Sequence, residues 1–164
     1  MDYEKCAIIL SKTLILRNNM LFIANDHAGL KLKQVVTRYC KQNDIPFKDL
    51  GVHVDESVDY PDMAEILCKE ILKDINQNRG VLICGSGIGM SIAANRHNAI
   101  RAALCFDPYM AAVARKHNNA NVLCMGERVT GAGVAEAIVA AFLNEAFEGG
   151  RHELRVSKLT TTKE

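Results

Sequence analysis

The stretch from Gly80 to Asn95, GVLICGSGIGMSIAAN, carries a thiol out of an apolar run and into a glycine-rich turn. Val81 to Ile83 are too few and too rich in β-branched residues for a helix, so they read as a buried strand. Gly85, Gly87 and Gly89 permit a tight turn and let backbone N–H groups come close to a ligand. Small helix-forming residues follow, and the positive end of that helix faces back toward the turn, a position suited to an anion. A thiol at such a point, here Cys84, is expected to have its pKa drawn below the free value of about 8.5. Ser86 adds a hydroxyl to the same turn. A thiolate beside an anion-holding loop is enzyme chemistry.

The elements that position this turn alternate along the chain. Strands are expected at Leu21–Ala24, Phe47–Leu50, Val81–Ile83, Ala102–Phe106 and Val122–Met125. Between them lie helical stripes: Leu32, Val35, Val36, Tyr39 and Cys40, then Met63, Ile66, Leu67 and Ile71 with Pro61 near the first turn, then about Pro108 to His117. Val134 to Leu143 is apolar nearly all round and is expected to be buried. Strands separated by helices imply parallel crossovers, so the fold class is α/β: one doubly wound, Rossmann-like domain with a five-stranded parallel sheet and helices on both faces.

Ligands of such sheets bind beyond the carboxyl ends of the strands. The loops there hold Asn25-Asp26-His27-Ala28-Gly29, Cys84-Gly85-Ser86-Gly87, Asp107 and Gly126-Glu127-Arg128. Acid, base, thiol and cation thus meet on one rim. Each also has a plainer reading: Asp26 as a helix cap, His27 as an ordinary histidine, Cys84 as a core thiol, Arg128 as a solvated charge. Motif tests narrow the field. A dinucleotide fingerprint needs a third glycine where Met90 stands, although Asp107 sits near where a ribose-binding acid belongs. A cysteine phosphatase loop would need an arginine at that same Met90. The histidines at 27, 53, 97, 117 and 152 show no paired ligand spacing, so no metal or other cofactor is expected.

Composition sets the outer limits. At 164 residues the chain suits one domain with a real core. Its 20 Lys+Arg against 19 Asp+Glu leave a net charge of +1, which offers no electrostatic case for nucleic acid or membrane as partner. No apolar stretch reaches the roughly 20 residues of a membrane span. The 6 cysteines are scattered without a C-x-x-C pair, which fits free thiols in a reducing, cytoplasmic setting. Residues 1–19 read as an N-terminal extension without a signal-peptide cleavage pattern, and Met20 offers an alternative start. The domain is expected over 20–159, with a polar tail at 160–164.

The sequence resembles the type B ribose-5-phosphate isomerase family, which includes galactose-6-phosphate and allose-6-phosphate isomerases. The matching stretches are Asp26-His27-Ala28-Gly29, Asp49-Leu50-Gly51, Ser57 to Asp62, Cys84 to Asn95, Ile100 to Cys105, Ala114 to Asn121 and Phe147 to His152. The resemblance implies a metal-free aldose–ketose isomerisation of a sugar phosphate through a cis-enediolate, a step of pentose phosphate metabolism. It implies Cys84 as the base moving a proton between C2 and C1, with Asp26 and His117 opening the furanose ring. Ser86 and the amides of Gly85, Gly87 and Gly89 would hold the enediolate oxygens, and Asn118 would add a contact. His27, Arg128, Arg151 and Arg155 would hold the phosphate, and Tyr60 would line the pocket. Ser86 stands where the family more often has Thr, and Asn25 where a smaller residue is usual. Some relatives carry a glutamate base at the Met90 position; Cys84 with Met90 groups this chain with the cysteine users.

His117 ends a helix that runs back against the strands, so it should lie at the rim opposite Cys84. A shared site then needs a second subunit, and the basic tail would reach across in the same way. The family resemblance likewise implies a homodimer with shared sites, with pairing into a tetramer left open. Hexose 6-phosphate isomerases remain the alternative within the class. A non-catalytic sugar-phosphate or nucleotide-binding module is the alternative outside it; such a module would need the cations but not the thiol.

Overall fold

The computed structural model describes residues 20–160. The expected extension at residues 1–19 and residues 161–164 of the tail lie outside the described residues. The strands are β1 (Leu21–Asn25), β2 (Phe47–Asp49), β3 (Arg79–Cys84), β4 (Ala102–Leu104) and β5 (Val122–Gly126). The helices are α1 (Leu30–Gln42), α2 (Tyr60–Lys73), α3 (Ile88–Ala94), α4 (Pro108–Asn118), α5 (Ala132–Asn144) and α6 (Glu153–Thr160). The strands form one parallel sheet in the order β2-β1-β3-β5-β4. Chain direction across the sheet reverses between β1 and β3, which opens a crevice at their carboxyl ends.

Alternation along the strands divides the core. Leu21, Ile23, Val81, Ile83, Leu123 and Met125 face α1, α4 and α5. Phe22, Ala24, Leu82, Cys84, Val122 and Cys124 face α2 and α3. Both faces are covered, as the apolar strand runs require. Among the described residues, no helix is long and apolar enough to cross a membrane.

The structure differs from the sequence expectation in several places. Ile66 is 44% exposed, and the buried stripe of α2 is Met63, Ala64, Leu67, Cys68 and Ile71. At about 100° per residue that stripe centres well over a quarter-turn away from Ile66. In α5 only Ala135, Ile138, Val139 and Phe142 are buried, whereas Val134 is 44% exposed, so an apolar composition all round does not here mean burial all round. β4 stops at Leu104, two residues short of the expected Phe106. The basic segment 147–159, for which the sequence predicts no element, folds into a 3₁₀ turn, Gly150–His152, and α6, whose Leu154 and Leu159 are exposed.

Lys33, on the buried side of α1, is only 3% exposed. Its Nζ lies 3.1 Å from Asp49 Oδ2 at the end of β2 and donates to the Val52 carbonyl at 2.5 Å. Asp49 also accepts from the Gly51 N–H at 2.9 Å, so one carboxylate fixes both the lysine and the turn. Truncating one partner of a buried ion pair strands the other charge, a cost of about 3–5 kcal/mol. Asp49→Ala should therefore lose stability on that scale in urea unfolding, and a loss under about 1 kcal/mol would show that water reaches Lys33.

Candidate active site

Three neighbouring strands end at one pocket, and backbone bonds tie their loops together. The Asp26 N–H donates to the Ile83 carbonyl at 3.1 Å, joining the ends of β1 and β3. The Glu127 N–H donates to the Cys84 carbonyl at 2.9 Å and the Arg128 N–H to the Gly85 carbonyl at 3.0 Å, joining β3 to β5. Gly126 makes this close approach feasible: a Cβ there would lie 2.5 Å from the backbone of Ser86. Gly87 has φ +79°, the left-handed region, immediately before α3.

The pocket over these loops is lined by Asp26, His27, Ala28, Tyr60, Cys84, Gly85, Ser86, Gly89, Arg128 and Val129. Cys84 is 5% exposed, and the Gly87 N–H donates to its Sγ at 3.1 Å, which fixes the sulfur at the mouth of the turn. The Ile88 N–H donates to Ser86 Oγ at 3.3 Å, which fixes the hydroxyl within the turn. The Arg128 guanidinium lies beside Gly85, 3.3 Å from where a side chain would begin. No carboxylate pairs with it among the described residues. The Val58 N–H donates to His27 Nδ1 at 3.4 Å, which leaves Nε2 of the neutral ring as the donor. The other described cysteines are buried without a comparable role, and burial pushes the thiols of Cys40 up to about 11 and of Cys68 and Cys105 up to about 12.

Asp26 serves both of its readings. Its carboxylate accepts from the Ala28 N–H at 2.9 Å, capping the 3₁₀ turn His27–Gly29, while lining the pocket. Burial raises its pKa above the ordinary 3.8, against the opposing pull of the Ala28 amide and the charges of His27 and Arg128. A carboxyl whose folded pKa is raised binds its proton more tightly in the native state, so it costs stability as pH rises through that value. Asp26→Asn keeps the cap and removes the charge. We expect it to unfold at higher urea than the wild type at pH 7, the gap narrowing as pH falls toward 3.8. A lower midpoint at pH 7 would show that the ionised carboxylate stabilises the fold.

Glu127, placed on the rim by the sequence without a role of its own, has one in the structure. Its Oε2 accepts from the Leu32 N–H at 3.0 Å, across 95 residues, and so clamps the loop bearing Arg128 to the start of α1. Only its place beside Arg128 hinted at this, because its partner is remote in the chain.

The remaining expected site residues lie elsewhere. α4 runs antiparallel to the strands and ends at the edge where β5 begins, so His117 and Asn118 are absent from the pocket lining. Arg151 and Arg155 are exposed on the tail and also outside it. There the fold assembles a cluster that ligand spacing did not suggest: His117, Glu148 and His152, with potential ligand atoms within 4.8 Å of one another. The two imidazoles are stacked, 4.4 Å between centroids and 4° between planes. Lone pairs in two parallel planes do not converge on a common ion at about 2 Å, so the arrangement is a stack rather than a ligand set.

Comparison with known proteins places this geometry. Residues 21–159 match the family model described as Ribose/Galactose Isomerase. The probable ribose-5-phosphate isomerase B of Mycoplasma genitalium is 41% identical over 140 residues, 85% of this chain and 92% of that protein. The crystal structure of a ribose 5-phosphate isomerase from Thermotoga maritima superposes with a TM-score of 0.84 at 47% identity, covering 88% of this chain and 99% of that one. A second, the Mycoplasma genitalium isomerase with bound ribulose-5-phosphate, gives a TM-score of 0.83 at 39% identity over 86% and 93%. The chain belongs to the ribose/galactose isomerase family, and it is an enzyme of the isomerase class.

Proposed function

We propose that the protein interconverts ribose 5-phosphate and ribulose 5-phosphate through a cis-enediolate, with Cys84 as the base. The observation that carries this reading is the Cys84 sulfur, held by the Gly87 amide and opening into a pocket that also holds Asp26, His27 and Arg128. A proton next to a carbonyl leaves only if the growing oxyanion is stabilised. Preorganised donors supply that stabilisation at roughly 3–4 kcal/mol each. The amides from Gly85 to Gly89 and the Ser86 hydroxyl are the donors at hand. The thiolate takes the C2 proton of the open aldose and the electrons move to the C1 oxygen; the O2 hydroxyl proton passes to O1 across the cis-enediolate, and the carbon proton returns at C1 as the C2 carbonyl forms, giving the ketose. Arg128 and His27 hold the phosphate, the guanidinium fork matching its oxygens. Tyr60 walls the pocket beside Gly89.

The site is completed by a second copy of the chain. His117, Asn118, Arg151 and Arg155 lie outside the pocket of their own subunit, yet ring opening and phosphate binding call for their chemistry. Ile88 and Ile92 of α3, and Phe106 and Tyr109 after β4, are exposed, an apolar surface suited to a homodimer contact. His117 and Asp26 open the furanose in this arrangement, and the tail arginines close over the phosphate. Such dimers remain free to pair into a tetramer. The same reading sets the enzyme in the cytoplasm, where reducing conditions keep Cys84 a thiol, and in pentose phosphate metabolism.

The test is conversion of ribose 5-phosphate in metal-free buffer, run beside galactose 6-phosphate and allose 6-phosphate. Preferred turnover of the pentose supports the reading. Preferred turnover of either hexose moves the substrate within the class. Binding without turnover of any of the three leaves a sugar-phosphate-binding module.

A further inference from the structure

His152 has no place in the chemistry above, yet it is the buried member of the His117 cluster. His117 sits in the last turn of α4 and His152 closes the 3₁₀ turn that follows Gly149. Their rings stack face to face, 4.4 Å between centroids. One backbone bond joins the two turns, the Glu148 N–H donating to the Lys116 carbonyl at 3.0 Å, and the His152 N–H closes its own turn onto the Gly149 carbonyl at 3.0 Å. Glu148 Oε2 stands 3.8 Å from His117 Nε2, and the Arg151 Nε–H donates to His152 Nε2 at 3.5 Å.

We propose that His152 is a positioning residue for His117, its ring fixing the plane in which the His117 imidazole meets the closed sugar. The inference rests on the ring-opening role of His117 given above. The His117 side chain is 39% exposed, and an exposed imidazole has several staggered and ring orientations open to it. A flat partner behind it removes those that break the stack. Burial and the charges of His117, Arg151 and Arg155 hold the His152 pKa below the ordinary 6.5, and the Arg151 donation to Nε2 requires that nitrogen to be unprotonated. A neutral π-face receives His117 whether that ring is neutral or protonated. Proton transfer needs such indifference, because His117 changes charge during ring opening while its plane must not.

The chemistry supplies a clean test. Ribose 5-phosphate rests as a furanose, and opening it breaks the C1–O4 bond, adds a proton to O4 and removes one from the C1 hydroxyl. Ribulose 5-phosphate stays open, because its 5-oxygen is esterified and cannot close on C2. Exchange of the ribulose 5-phosphate C1 hydrogen with deuterated solvent therefore needs the Cys84 base but no ring opening. His152→Ala should lower kcat on ribose 5-phosphate by about 10- to 100-fold, the cost of a displaced catalytic group, with C1 exchange unchanged. His152→Phe retains a stacking face and should keep most of the wild-type kcat. A His152→Ala that slows both reactions alike, or neither, overturns the proposal, as does a His152→Phe no better than the alanine. His117→Ala is run in parallel. If it spares ribose 5-phosphate turnover, the ring-opening reading itself falls; if it shows the split and His152→Ala does not, only this inference falls.

Discussion

Cys84→Ala is expected to lower ribose 5-phosphate turnover by about 10²–10⁴-fold, the usual contribution of a positioned base, while ribose 5-phosphate still binds. The proposed phosphate partners, His27 and Arg128, sit on the loops after β1 and β5 and do not depend on the sulfur. The loop itself is held by backbone bonds through Glu127 and Arg128, which the substitution leaves in place. Loss of one buried sulfur should cost about 1 kcal/mol of stability, so the variant remains folded. Cys84→Ser separates packing from proton chemistry further: a hydroxyl fits the space but is far too weak an acid to serve as a resting anionic base. Both variants should therefore be inactive and both should bind. Turnover of Cys84→Ala within about tenfold of the wild type would remove Cys84 from the base role.

Mixing two inactive variants should restore activity. If Cys84 and His117 of one site belong to different chains, a heterodimer of Cys84→Ala and His117→Ala carries one site with both defects and one with none. Random pairing from an equal mixture makes about half the dimers mixed, so about a quarter of wild-type sites should return. The measurement is turnover after joint refolding, compared with each variant refolded alone. Restoration demands shared sites, because sites complete within one chain would gain nothing from mixing. A mixture no more active than its parents would return His117 to its own subunit and remove the main reason for an obligate dimer.

What the chain revealed of itself follows the range of the interactions concerned. The strands were legible because apolar runs such as Leu21–Ala24 and Val81–Ile83 end in polar or glycine loops, a signal contained within a few residues. Cys84, Asp26, His27 and Arg128 were legible as one site because a parallel sheet places all such loops on one edge, so spacing along the chain sufficed. Lys33 was not. A lysine within a helical stripe reads as solvated until Asp49 and the Val52 carbonyl are seen to enclose it. Glu127 and its amide partner Leu32 are likewise joined only by the fold. The His117–His152 stack joins two turns whose association no local period encodes. α6 was missed because Leu154 and Leu159 are exposed, so it presents no buried stripe to recognise.

The strand order also bears on how the protein is made. β4 pairs with β5 and with no earlier strand, and β5 fills the place between β3 and β4. On the ribosome the chain emerges amino end first, so β4 waits without a sheet neighbour until Val122–Gly126 has been synthesised. During that interval β3 presents a bare edge, and the Cys84 turn lacks the strand that will carry Arg128. The nascent protein thus holds its thiol before its cation, and the pocket is complete only once β5 lies between its two neighbours.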